Sequence, residues 1–199
     1  MRRRLVLVLG LAALVATLCT GCLFNIFQTA KTLGAGNLAF TIGAGLLSVQ
    51  VDESTTMSVT PQARLAVGLG DAVDLGFQTG AMIPFNGGDP GWLGAIGDLK
   101  FRLFDERDSF ALAMGLGGGY SVEYIGWGVF GEILFDSNVR VFPVYFAYQP
   151  AVALSTDFTL LHHIAAGLKL RLSNQARILL QVDYRTGIWS VGMALEVGF

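Results

Sequence analysis

From residue 36 almost to its end, the chain alternates residue by residue between large apolar side chains and small or polar ones. Along Leu38-Ala39-Phe40-Thr41-Ile42-Gly43-Ala44-Gly45-Leu46 the bulky apolar residues take one parity and the small residues the other. The same pattern sets Leu65, Val67 and Leu69 against Arg64, Ala66 and Gly68, and Leu99, Phe101 and Leu103 against Asp98, Lys100 and Arg102. It returns in Leu168, Leu170 and Leu172, and in Ile178, Leu180, Val182 and Tyr184, where Leu179 breaks the parity. Neighbouring residues of a strand point to opposite faces, so a period of two sustained this long leaves little room for helix. Polar turn signals punctuate the runs at Gly70-Asp71-Ala72, Asp105 to Ser109, Asp136-Ser137-Asn138 and Ser173-Asn174-Gln175. Longer connections are expected at Val51 to Met57, Phe85 to Gly91 and Gln149 to Asp157. The resulting strands lie near 37–49, 57–69, 73–84, 92–104, 110–121, 124–135, 138–149, 158–172, 176–185 and 187–199. The expected fold is all-β: a closed antiparallel up-and-down transmembrane β-barrel of about ten strands, with eight or twelve left open. Short turns and both chain ends would share one end, with longer loops at the other.

Alternation does not say which face is outside, because a soluble ligand-binding barrel shows the same period with its apolar face inward. Composition decides. The chain is 53% hydrophobic and 14% charged, against about 25% charged in ordinary soluble domains. The polar parity is mostly glycine and alanine, as in Ala111, Ala113, Gly115, Gly117 and Gly119. Small residues and scattered charges suit a crowded interior better than a hydrated exterior, so the leucines, valines and phenylalanines are expected to meet lipid. Aromatics gather at the strand ends: Phe85, Trp92, Tyr120, Tyr124, Tyr148, Phe158 and Trp189 at one, Phe104, Phe110, Phe135 and Phe199 at the other. Two such girdles mark the interfaces of a spanning barrel.

The N-terminus reads as an export signal. Arg2, Arg3 and Arg4 precede the apolar run Leu5 to Leu18, which is too short for the ~20 residues of a helical span. The cysteines, Cys19 and Cys22, both fall at the end of this leader, so no internal disulfide is expected in the mature chain. Leu18-Cys19-Thr20-Gly21-Cys22 resembles a bacterial lipoprotein signal, with Cys19 where that family usually has leucine. The resemblance implies lipidation of Cys22; an ordinary signal peptide cut before Lys31 is the alternative. The expected organisation is a signal peptide over 1–21, a lipidated linker over 22–35 and a barrel over 36–199. Leu23, Phe24, Ile26 and Phe27 would then lie along the inner leaflet of the outer membrane. Gln28 to Gly34 looks like the leaders of barrel lipoproteins of unassigned function.

Val191, Met193, Leu195, Val197 and Phe199 alternate and finish on an aromatic. This resembles the terminal signal read by the outer-membrane assembly machinery, with Leu195, Val197 and Phe199 as its elements. The stretch 36–199 is similar to small bacterial outer-membrane β-barrels. The resemblance implies a place in the bacterial outer membrane, with its lipids and that machinery as partners.

Chemistry is expected inside the barrel. Arg64, Asp74, Asp98, Lys100, Arg102, Glu132, Lys169, Arg171, Asp183, Arg185 and Glu196 have lumen parity. Charges in a narrow low-dielectric interior must pair or stay hydrated, and such a network blocks a small lumen or leaves at most a narrow conduit. The expected role is structural or that of a narrow channel, with no catalytic residues. An alternative enzyme, an outer-membrane acyltransferase or hydrolase, would use His163 as base, Ser155 as nucleophile and Asp157 to orient the ring. A soluble lipid-binding barrel is a further alternative. Gly126-Trp127-Gly128-Val129-Phe130-Gly131 matches GxGxxG as text, but the following Glu132-Ile133-Leu134-Phe135 continues a strand and offers no helix start for a phosphate. No metal or cofactor is expected, and a net charge of -2 offers nothing to nucleic acid.

Overall fold

The computed structural model describes residues 26–51, 54–105, 110–122, 126–137, 143–154, 159–185 and 188–198. Ten strands run in chain order: β1 Leu38–Val51, β2 Ser54–Gly68, β3 Val73–Pro84, β4 Gly91–Asp105, β5 Phe110–Ser121, β6 Gly126–Ser137, β7 Val144–Ala153, β8 Thr159–Arg171, β9 Ala176–Arg185 and β10 Ile188–Gly198. Each pairs antiparallel with its sequence neighbours, and β1 pairs with β10 to close the barrel. Closure matters because hydrocarbon offers no partner to an unpaired strand edge.

The apolar parity faces out. Ile42, Phe77, Leu116, Trp127, Val129, Met193 and Leu195 are exposed, whereas Thr60, Gln62, Arg64, Asp74, Asp98, Glu132, His163 and Asp183 are buried. This inversion of the usual inside and outside makes the molecule a transmembrane barrel. On β5 the outward side carries Phe110 at one end and Tyr120 at the other. Ten residue steps at ~3.4 Å and a tilt of ~40° put them about 26 Å apart along the barrel axis, the height of an outer-membrane apolar band. Phe104, Phe110 and Phe135 pack together at the lower end, with ring centroids 4.9 and 5.6 Å apart. Trp92, Tyr120 and Trp127 do so at the upper end, at 5.7 and 6.2 Å. Here the lower end is the one at which β1 starts and β10 finishes.

Several strand limits differ from expectation. β1 and β2 pair out to Val51 and Ser54, so most of the loop expected at Val51 to Met57 is strand. β7 starts only after Pro143 and runs on to Ala153, through Pro150. Proline offers no N–H to a ladder: the β6–β7 pairing has a gap between Phe130↔Ala151 and Ile133↔Tyr148. A matching gap beside Pro61 separates Val59↔Ile83 from Gln62↔Gly80. Among the connections that lie wholly within the described residues, those at the lower end, 69–72 and 172–175, are shorter than the one at the upper end, 85–90. Gly126 opens strand β6, so the GxGxxG text is strand.

The largest departure is the segment before β1. Ile26, Phe27, Gln28, Thr29 and Ala30 are buried, Ala30 completely. They lie inside the barrel and not along a leaflet. Ile26 and Ala30 pack on Ala111, Ala113, Leu134, Ala147 and Ala165, and Phe27 on Tyr145, Leu179 and Ala194. Leu179, which broke the outward parity, is a lumen residue. The lower lumen is lined by residues too small to fill it, and the N-terminal segment occupies the space. It leaves across the rim at Gly34 and Gly36, both in the left-handed region at φ +82° and +76°. Gly34 passes so close to Gly68 that a Cβ on Gly68 would overlap the Gly34 carbonyl. Only glycine fits that crossing.

Candidate functional site

The lumen holds most of the side chains that could do chemistry. Arg64 on β2 donates to Asp98 on β4 through both terminal nitrogens, one contact being 2.9 Å from Nη2 to Oδ1. Its Nη2 also donates to Gln28 Oε1 at 3.1 Å. Gln28 Nε2 reaches Glu132 Oε2 at 3.4 Å, so one side chain of the N-terminal segment bridges a buried cation and a buried carboxylate. Lys100 forms an ion pair with Asp74 at 3.0 Å and donates to the carbonyls of Thr29 and Lys31 at 3.1 and 2.7 Å. The Leu33 N–H donates to Asp74 Oδ1 at 3.0 Å. Arg177 pairs with Glu196 and donates to Thr29 Oγ1 at 2.9 Å. Four residues of one short segment are thus tied to five strands.

Buried charges survive in such a setting only when opposite charges and hydrogen bonds replace lost water. The small residues of the polar parity provide the room. Arg64 folds over Gly76, Glu132 over Gly115 and Tyr145 over Gly167, each so closely that a Cβ on the glycine would collide.

The structure brings Arg64, Asp74, Asp98, Lys100 and Glu132 together in the lower lumen, with Glu196 joined to it through Arg177 and Thr29. Lys169 stands beside this group and pairs with Asp136 at 2.9 Å. Asp136 was read as part of a turn, but β6 continues through it, and its carboxylate is buried. Arg102 and Arg171 depart from expectation. Arg102 precedes a ladder irregularity in β4 and pairs with Asp105 at 3.6 Å, partly exposed at the rim. Arg171, the last residue of β8, is exposed and donates to Ser173 O and Asn174 Oδ1 at 3.0 and 2.7 Å.

Asp183 and Arg185 lie higher. His163 is buried and its Nε2 is 2.7 Å from Asp183 Oδ1. Gln181 Nε2 donates to the same oxygen at 2.6 Å, and Ser190 Oγ lies 3.4 Å from Oδ2. The Asp183 carboxylate thus stands between His163 on one oxygen and Ser190 on the other. Ser155 and Asp157 lie outside the described residues. His162 faces outward, stacked on Tyr148 with Nδ1 2.8 Å from the phenol oxygen. Cys22, the leader and Phe199 also lie outside the described residues. Leu195 and Val197 sit on β10 opposite Ile42 and Phe40 of β1.

Parity located most of the network. It missed Gln28, Thr29 and the backbone carbonyls of 29–31, which belong to no strand. One signal for them was present: the run of alanine and glycine on β5 is too small to fill a ten-stranded lumen, so another part of the chain has to.

No protein-family model matches the chain, and no curated protein sequence matches it significantly. Among solved structures it is similar to the N-terminal β-barrel domain of Pseudomonas aeruginosa OprF, at 13% identity over 83% of this chain and 99% of that one, with a TM-score of 0.39. It is similar to the KdgM porin at 7% identity, over 82% and 99% of the two chains, with a TM-score of 0.40. It is also similar to OprG from Pseudomonas aeruginosa at 14% identity, over 86% and 99%, with a TM-score of 0.36.

Proposed function

We propose that this chain is an exported bacterial outer-membrane barrel whose lumen is closed at rest by its own N-terminal segment, locked in place by the buried charge network. Its role is structural, or that of a narrow channel that conducts only when the segment leaves. The observation that carries this reading is the complete burial of Ala30, with Thr29 beside it, inside the ring of strands. Barrels of ~8 strands are filled by side chains alone; a ten-stranded one lined by alanine and glycine needs the additional filling. Lipidation of Cys22, a terminal assembly signal at Leu195, Val197 and Phe199, and outer-membrane lipids and the assembly machinery as partners complete the proposal. The mass of the intact mature protein tests the lipid.

The closure is tested in a planar bilayer. Full-length protein is expected to be silent, or to open rarely. Lys100→Ala removes the ammonium that holds the carbonyls of Thr29 and Lys31, and combined with Gln28→Ala it is expected to give frequent stepwise openings. Large, steady conductance of the unaltered protein would overturn the resting closure. Continued silence of the double variant would leave the structural role standing and remove the channel.

A further inference from the structure

Below the charge network, at the lower end of the barrel, lies a cavity of about 920 Å³. Lys31 and Thr32 of the N-terminal segment border it on one side and the β8–β9 turn at Ser173–Gln175 on another. Binding sites for small molecules commonly enclose about 300–1,000 Å³, so the space suffices for a ligand of several functional groups.

Among the described residues its charges do not cancel. Four cations line it there: Lys31, Lys169, Arg171 and Arg177. Two are matched, Lys169 by Asp136 and Arg177 by Glu196. The other two are not. Arg171 is held by a backbone carbonyl and an asparagine oxygen, acceptors that orient the guanidinium without neutralising it. Lys31 makes no ion pair among the described residues, although its own carbonyl is fixed by Lys100. Two uncompensated cations therefore face one cavity. One is an oriented fork of the kind that binds carboxylate or phosphate through paired N–H groups, the other a mobile point charge.

We propose that this cavity binds a multiply charged anion bearing phosphate or carboxylate groups, with Arg171 and Lys31 as its ion-pair partners. The ligand enters from the lower face, so binding stands whether or not the lumen conducts. Because Lys31 belongs to the segment inside the lumen, the ligand bridges that segment to the β8–β9 turn.

The test is calorimetry of full-length protein in an uncharged detergent, with inorganic pyrophosphate as probe. One saturable site is expected, weakening as salt rises. The double substitution Lys31→Gln with Arg171→Gln should weaken it about a hundredfold or more, since two charged hydrogen bonds are lost. Arg102→Gln removes a rim cation outside the cavity and should change nothing. Neither the Lys31 nor the Arg171 side chain bonds to a strand among the described residues, and heat-modifiable gel mobility verifies that the variants fold; Lys31→Gln alone serves if the pair does not. Repeating the titration in nanodiscs with and without phosphatidylglycerol identifies the source. Competition by that lipid, lost in the double variant, assigns the site to a phospholipid headgroup, and no competition assigns it to a dissolved anion. Absence of saturable binding, or equal affinity in the double variant, overturns the proposal.

Discussion

Arg64 is where lumen stability can be read at a single residue. Its guanidinium is buried, and its partners are Asp98 and Gln28. Asp98→Ala leaves a buried cation with one neutral acceptor, so the folded barrel should lose about 3–5 kcal/mol, read from the denaturant midpoint of reversible folding into vesicles. Replacing both partners, Arg64→Met with Asp98→Leu, should recover most of that loss, because an apolar pair needs no compensation. Gly115 makes a steric counterpart. A methyl group there meets the Glu132 carboxylate, so Gly115→Ala should destabilise by about 1–3 kcal/mol, and adding Glu132→Ala should reverse much of it in the same assay. At this scale the sequence was largely legible. Parity alone put Arg64, Asp98, Lys100 and Glu132 inside. It failed for Arg102 and Arg171, because parity says which face a residue takes and not how far from the rim it lies. It failed for Asp136 because aspartate next to Ser-Asn looks like a turn whichever side of the boundary it falls.

Among elements, the strands and the N-terminal segment were read with very different success. A strand announces itself by a period, and β3, β5 and β9 have the expected limits. The end of β7 was missed: a connection was expected from Gln149, but the missing N–H of Pro150 falls in a gap of the ladder and the strand continues. The segment 26–36 has no period, since it forms no ladder and is held by hydrogen bonds to side chains on five strands. Its apolar Ile26 and Phe27 invited a leaflet placement, and nothing local distinguishes a lipid-facing phenylalanine from one packed in a lumen. β10 gives the element-scale prediction. Met193 points outward near the middle of the strand and is 59% exposed. Met193→Arg should cost about 2–4 kcal/mol at the bilayer midplane, measured by the same vesicle folding equilibrium. The same change at Trp189, near the upper interface, should cost about 0–1 kcal/mol for the charge itself.

For the molecule as a whole, alternation foretold the closed sheet and the composition of the polar parity foretold its inversion. A chain lacking residues 1–22 should need detergent to stay in solution and should migrate faster on a gel unheated than boiled; a monomer stable in plain buffer would restore the soluble lipid-binding barrel. Phe27 carries a consequence for time. A Cβ on Gly43 would touch both the Phe27 ring and Ala194, and Gly43 and Ala194 are opposite one another where β1 meets β10. The last two strands to find each other therefore do so around a side chain supplied by the stretch synthesised just ahead of the first. Closing the ring and filling it are therefore expected to assist each other during assembly, because Phe27 lies against the pair at which β1 meets β10. Phe27→Ala should accordingly delay the appearance of the fast-migrating band during refolding, with the finished barrel retaining its mobility.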